Sequence, residues 1–133
     1  MKRILLALLI VSLAGCGVST VRELKSDPAG WYVTDTLTPL GDAYSRILAR
    51  MGECWSMGLG MGPAVIGSQN QKRNTARITM KAHQMSGSEV FMVVELSGTT
   101  EGTRGEVYYA SSGMASKASM VKAWAEGALD CEQ

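Results

Sequence analysis

Between residues 38 and 55 the apolar side chains recur at helical spacing. Leu40, Tyr44, Ile47, Leu48, Met51, Cys54 and Trp55 share one face, and Asp42, Arg46, Arg50 and Glu53 fall largely elsewhere. That period predicts an amphipathic helix. Thr38-Pro39 supplies a start, an N-cap followed by proline at the first helical position. Gly58 and Gly60 supply a stop, and the glycine- and methionine-rich stretch from Ser56 to Pro63 reads as a loop. The period then changes. Ala76, Ile78, Met80 and Ala82 alternate with Arg77, Thr79, Lys81 and His83, the pattern of a strand with one dry and one wet face. Ser86-Gly87-Ser88 predicts a turn. Val90 to Leu96 is more continuously apolar, which predicts a central strand. Gly98 to Gly105 predicts a hairpin loop, Glu106 to Ala110 a last strand, and Ser111-Ser112-Gly113 a break. Val121, Trp124, Ala125 and Ala128 then mark one face of a C-terminal helix ending near Cys131.

Upstream, Trp31-Tyr32-Val33-Thr34 is rich in strand formers and predicts a short strand, with an ordered loop as the alternative. Gly17 to Gly30 is polar, has no sustained period and ends in Asp27-Pro28-Ala29-Gly30, which predicts a tether. Hairpin-connected strands with helices before and after them predict an α+β fold: an antiparallel sheet of three to four strands with two helices packed on one face. About a hundred residues remain after the tether, enough for one domain over 31–133.

The N-terminus has its own pattern. Met1-Lys2-Arg3 precedes an apolar run from Ile4 to Val11, and Leu13-Ala14-Gly15-Cys16 follows. Basic start, apolar run and small-residue site are in the order of a secretory leader. The run is shorter than the roughly 20 residues a membrane span needs. Leu13-Ala14-Gly15-Cys16 resembles the lipobox of bacterial lipoproteins, and the chain looks like small proteobacterial outer-membrane lipoproteins. The resemblance implies cleavage after Gly15, so that 1–15 is a signal peptide, and a diacylglycerol thioether on Cys16. It implies a lipidated tether over 16–30 and a membrane partner held through the lipid. In such families Asp after the cysteine favours retention in the inner membrane. Gly17 stands there, so the expected place is the outer membrane, periplasmic face, with the inner membrane as alternative.

With Cys16 consumed by lipid, Cys54 and Cys131 remain as an even pair in an oxidising compartment, and a disulfide between them is expected, joining the two helix ends. Two buried free thiols are the alternative. Removal of Lys2 and Arg3 with the leader leaves 11 basic against 12 acidic side chains, a net charge of −1. That near-neutral balance argues against a general nucleic-acid binder.

The remaining chemistry is sparse. His83, the single histidine, has no second histidine with which to build a metal site. Ser119-Met120-Val121-Lys122 matches the serine-x-x-lysine pattern of penicillin-binding proteins and β-lactamases, but the companion motifs are missing and the match falls inside the last helix. Gly58, Gly60 and Gly62 follow a helix instead of a strand, unlike a phosphate loop. Eight methionines beyond the first could supply thioethers to Cu(I), with Met57 and Met61 closest in sequence, or simply fill the core. No catalytic residues, metal or cofactor are assigned. Lys72, Arg73, Arg77, Lys81 and His83 gather on and before one strand. They read either as a solvated sheet face or as a face for an envelope protein, an anionic lipid or a saccharide. The expected function is a non-enzymatic envelope interaction or binding module. An envelope hydrolase, an inhibitor of one, or a small-ligand or metal-binding lipoprotein are the alternatives.

Overall fold

The computed structural model describes residues 17–55, 62–84 and 87–132, with the side chains of 83 and 84 excluded. The expected leader and Cys16 lie outside these residues, as does 56–61 of the expected loop. Ten elements follow in order: α1 (Val21–Ser26), β1 (Gly30–Thr36), α2 (Leu40–Cys54), β2 (Ala64–Asn70), β3 (Thr75–Gln84), β4 (Gly87–Gly98), β5 (Thr103–Tyr109), a 3-10 turn (Ser112–Met114), α3 (Ala115–Ala118) and α4 (Val121–Ala125). The strands form one antiparallel sheet in the order β1-β5-β4-β3-β2. Here β4 is the middle strand, as its continuous apolar run predicts.

The register sorts the side chains into two faces. Tyr32, Val107, Val94, Ile78 and Gly67 align across the five strands on the inner face. Ile78, Val94 and Val107 are fully buried there under Ala43, Ile47 and Met51 of α2 and Val121 and Trp124 of α4. The predicted stripe of the long helix is therefore the one that packs. Gly67 carries no side chain because Tyr44 of α2 occupies the space: a Cβ would meet its hydroxyl at 2.2 Å. The Tyr32 hydroxyl donates to the Ala118 carbonyl, tying β1 to α3, and burial holds this phenol well above its usual pKa. Trp124 packs edge-on against Trp55 and donates from Nε1 to the Asp130 carbonyl at 2.8 Å.

Several expectations need correction. The sheet has five strands. The unforeseen one, β2, is an edge strand with little apolar periodicity. Helices cover both faces: α2 and α4 lie inside, but α1 packs on the outer face through the fully buried Leu24. The stretch from Val21 therefore does not continue as a bare tether. The C-terminal helix is two short pieces, α3 and α4, with Ser119 and Met120 between them. The long helix begins at Leu40 with Pro39 as its cap residue and no capping side chain. Thr38 instead offers its carbonyl to the buried Thr103 hydroxyl at 2.8 Å. Both hairpin connections are tighter than expected, since Gly87 and Ser88 already pair with Gln84 and His83, and Thr103 with Gly98.

Cys54 and Cys131 are bonded, with Cα atoms 5.4 Å apart. Cys54 closes α2, whereas Cys131 lies past α4, in a tail that returns to the helix. Arg50 Nη1 on α2 donates to the Leu129 carbonyl of that tail at 3.4 Å. The bridge closes 77 residues. In the chain-entropy model a loop of that size stabilises by about 4–5 kcal/mol, and native bridges in small exported domains cost about 2–5 kcal/mol when removed. Cys131→Ser should therefore lower the unfolding free energy by about 2–5 kcal/mol in urea titrations. A second test concerns Gly102, where a Cβ would stand 2.1 Å from the Thr36 carbonyl oxygen and 2.7 Å from the Leu37 Cα. Backbone cannot step aside as a flexible side chain can. Gly102→Ala should cost about 1–3 kcal/mol, the usual penalty for overpacking, and an unchanged urea midpoint would show that this contact yields.

Candidate functional site

The outer face of the sheet is built from the N-terminal segment inward. The Val90 amide donates to the Val18 carbonyl at 2.7 Å. It is available because β4 carries a bulge: Met80 pairs with Met92 and Lys81 with Val90, so Phe91 is skipped. The bulge turns Val90 to the outer side. Beyond Val18, Thr20 and Glu23 form a capping box. The Thr20 hydroxyl accepts from the Glu23 amide at 3.1 Å, and the Glu23 carboxylate accepts from the Ser19 hydroxyl and amide, each at 2.8 Å. These bonds, the Ser19 side chain's first, hold the Glu23 carboxyl below its usual pKa. The cap fixes a single turn whose Leu24 enters the gap between Val90, Val93 and Tyr108.

Lys25 comes next and reaches Glu95 on β4, Nζ to Oε2 at 2.7 Å. Arg77 on β3 approaches the other oxygen, with Nη2 at 2.7 Å and Nε at 3.1 Å. Glu95 also stands directly opposite Glu106 of β5. Facing like charges are unfavourable across a strand pair, and the two cations offset them. Burial alone pushes the Glu95 carboxyl up, but the hydrogen bonds from Lys25 and Arg77 outweigh it and hold the carboxyl below its usual range. The bond to Glu95 raises Lys25 correspondingly. Lys25 also lies 5.3 Å from the Tyr108 ring centroid, and Trp31, 53 % exposed, stacks beside Tyr108 at 6.1 Å. Toward the distal end of this face a groove of about 440 Å³ is bounded by Ser68, Asn70, Thr75, Arg77, Glu95 and Ser97.

The expected basic face is distributed differently from its sequence. Arg77 is neutralised by Glu95. Lys72 and Arg73 occupy the exposed β2–β3 turn, whereas Lys81 lies six residues beyond Thr75 along β3. Six strand residues span about 20 Å, more than twice the screening length of about 8 Å at physiological ionic strength. These cations therefore do not act as one patch. His83 lies in β3, with its side chain outside the described atoms. Cys16, Met57, Met61, Met85, Gly58 and Gly60 lie outside the described residues. Met51, Met80, Met92 and Met120 are buried in the core, as the gap-filling reading expects. The Ser119 hydroxyl donates to the Ser116 carbonyl, and Lys122 stands 4.0 Å from Glu126.

Glu95 and Lys25, the residues that organise this face, were not singled out from the sequence. The Thr20-x-x-Glu23 box was the available signal for α1, while the Arg77–Glu95 contact depends on a strand register that no local pattern encodes. Among the described residues no group of three or more His, Cys, Asp or Glu side chains could hold a metal ion. No described helix is long and apolar enough to cross a membrane. No protein-family model, curated protein or solved structure matches the chain.

The ion cluster makes α1 docking pH-dependent. The depressed Glu95 carboxyl contributes stability that is complete above its unfolded value, about 4.3 for a free glutamate, and is lost as pH falls through the folded value. The raised Lys25 contributes below its unfolded value, about 10.4, and that contribution is lost as pH rises through its folded value. The protection factor of the Leu24 amide, its exchange rate corrected for the intrinsic rate at each pH, should be highest between these limits and fall below about pH 4. Glu95→Gln should flatten the acid limb and destabilise by no more than about 2 kcal/mol, since two ion pairs are lost and each, reaching solvent, contributes at most about 1 kcal/mol.

Proposed function

We propose that the chain is a lipoprotein of the bacterial envelope, anchored through acylated Cys16 in the outer membrane. Its domain acts at the periplasmic face as a non-enzymatic binding module. The observation that carries this reading is Leu13-Ala14-Gly15-Cys16 behind a basic, apolar leader. Each buried methylene contributes about 0.8 kcal/mol, and two acyl chains already give stable anchoring. The presence of Gly17 in place of aspartate supports the outer membrane as the destination. The disulfide fits an oxidising compartment.

The partner surface is the end of the sheet away from the N-terminus. Leu37, 81 % exposed, projects there between clefts of about 330 and 550 Å³ that share Thr99, Thr100 and Glu101. The Lys72–Arg73 turn lies at the same end. An exposed leucine flanked by the carboxylates of Asp35, Glu101 and Glu126, by Lys122 and by threonine hydroxyls suits an envelope protein whose apolar contact patch is ringed by charges of both signs. The test is a pair of measurements in cells. The parent protein should be processed and fractionate with the outer membrane, and Cys16→Ser should remain as unprocessed precursor. A photo-crosslinker at Leu37 should capture a defined partner that one at Ser45, on the exposed side of α2, does not. Equal processing of both forms would remove the anchor, and identical capture from both positions would remove the distal surface.

A further inference from the structure

The expected tether is the point at which the structure departs most usefully from the sequence pattern. Val18 is already bonded to Val90. Gly17 runs beside Glu89, whose side chain lies 3.8 Å from where a Gly17 Cβ would stand. Leu24 is fully buried. One residue, Gly17, therefore separates Cys16 from the first hydrogen-bonded position of the domain. Two residues of chain span at most about 7 Å, so the Cα of Cys16 is held within that distance of Val18.

We infer that the domain is clamped to the bilayer instead of hanging from a flexible leash. The β3–β4 hairpin end of the sheet lies against the lipid headgroups, and the opposite end is held a fixed distance away. This rests on the lipidation of Cys16 proposed above and specifies what that anchor does. The near end is defined by register: Gly30, Tyr109, Met92, Met80 and Val65 align across it, with Lys81 and Glu89 just beyond. The far end carries the 71–74 and 99–102 turns. Glu89 and Gly98 are nine residues apart on β4, about 30 Å at strand rise. Acyl chains enter the bilayer directly at Cys16, so the near end cannot leave the headgroup layer while Val18 stays bonded to Val90.

The geometry also divides the cations. Lys81 falls within the headgroup potential, which fades over a screening length of about 8 Å. Lys72 and Arg73, about 20 Å or more further along β3, lie outside it. They cannot bind the lipid of the anchoring leaflet and are left for a partner in the periplasm.

The test uses the full lipidated protein, isotope-labelled and reconstituted in nanodiscs of phosphatidylethanolamine and phosphatidylglycerol with a spin-labelled headgroup lipid. Mass spectrometry of the N-terminal peptide first reports acylation. Amide signals of Lys81, Glu89 and Ala64 should lose intensity, while those of Lys72, Thr100 and Glu101 should keep it. A companion variant inserts a Gly/Ser linker of about twelve residues, roughly 20 Å in end-to-end distance, between Cys16 and Gly17. It should remain acylated and folded and should recover the near-end signals. Acylated protein with no attenuation at either end, or attenuation at both, overturns the clamp while leaving the lipoprotein reading intact. Full attenuation retained in the linker variant also overturns it, since the short connection would not then set the geometry. Absence of acyl groups removes the lipoprotein reading and the clamp together.

Discussion

The pairing of β1 with β5 runs in unbroken register from Gly30–Tyr109 to Thr36–Thr103. It brings the first strand against the last and leaves β2 at the opposite edge. With every neighbour antiparallel, β1 and β2 point the same way from opposite edges. The chain between them must cross the whole inner face and return to the end where β1 began. Four strand spacings amount to about 19 Å, and the 15 residues of α2 extend about 22 Å. The long helix is thus the length needed to cross the sheet, and its apolar stripe is what the sheet demands of anything laid over it. Gly67 permits the last step, because Tyr44 can press onto β2 only where no Cβ intervenes.

Legibility in the sequence follows burial. The long helix, β3 and β4 each bury one complete face or nearly all of their surface, so their periods survive in the sequence. Ala64–Asn70 is an edge strand whose inner positions are Val65, Gly67 and Gln69. The central one is a glycine because a helix side chain fills its place, and the alternation that would reveal the strand is erased by the packing that stabilises it. Val21–Ser26 buries a single residue, Leu24, and one residue has no period. Trp31–Thr34 reads as a strand by composition, but its placement beside β5 is a long-range fact. The disulfide was legible for another reason: Cys54 and Cys131 are the pair left over once Cys16 is assigned to the expected lipobox.

The same reasoning explains why the candidate site was only partly readable. Arg77 and Lys81 do share the outer face, as strict alternation requires. Their charges are set by neighbours outside the strand. Glu95 comes from β4 and Lys25 from a turn that no periodicity predicts. A cationic face inferred from one strand becomes, in the sheet, a chain of compensated charges running Lys25–Glu95–Arg77. What remains unneutralised by this cluster is at the ends of the sheet.

Energetic scale decides how firmly the N-terminal segment is held. Full burial of a leucine contributes about 1.5–3 kcal/mol, and each partly exposed ion pair at most about 1 kcal/mol. Leu24 is therefore the main fastener of α1, with the Lys25–Glu95 bond chiefly fixing its direction. A segment held by these terms alone opens more readily than the inner core, where Ile47, Met51, Ile78 and Trp124 are packed together. Under the proposed anchor this ranking has a mechanical consequence. A pull on the lipidated end is borne first by Val18 and Leu24, so the N-terminal segment would peel from the outer face before the disulfide-tied core is strained. The Lys25–Glu95–Arg77 cluster would then be uncovered as one cation short, leaving Glu95 facing Glu106 with only Arg77 to offset them. Release of the clamp and a more acidic outer face are thus the same event in this fold.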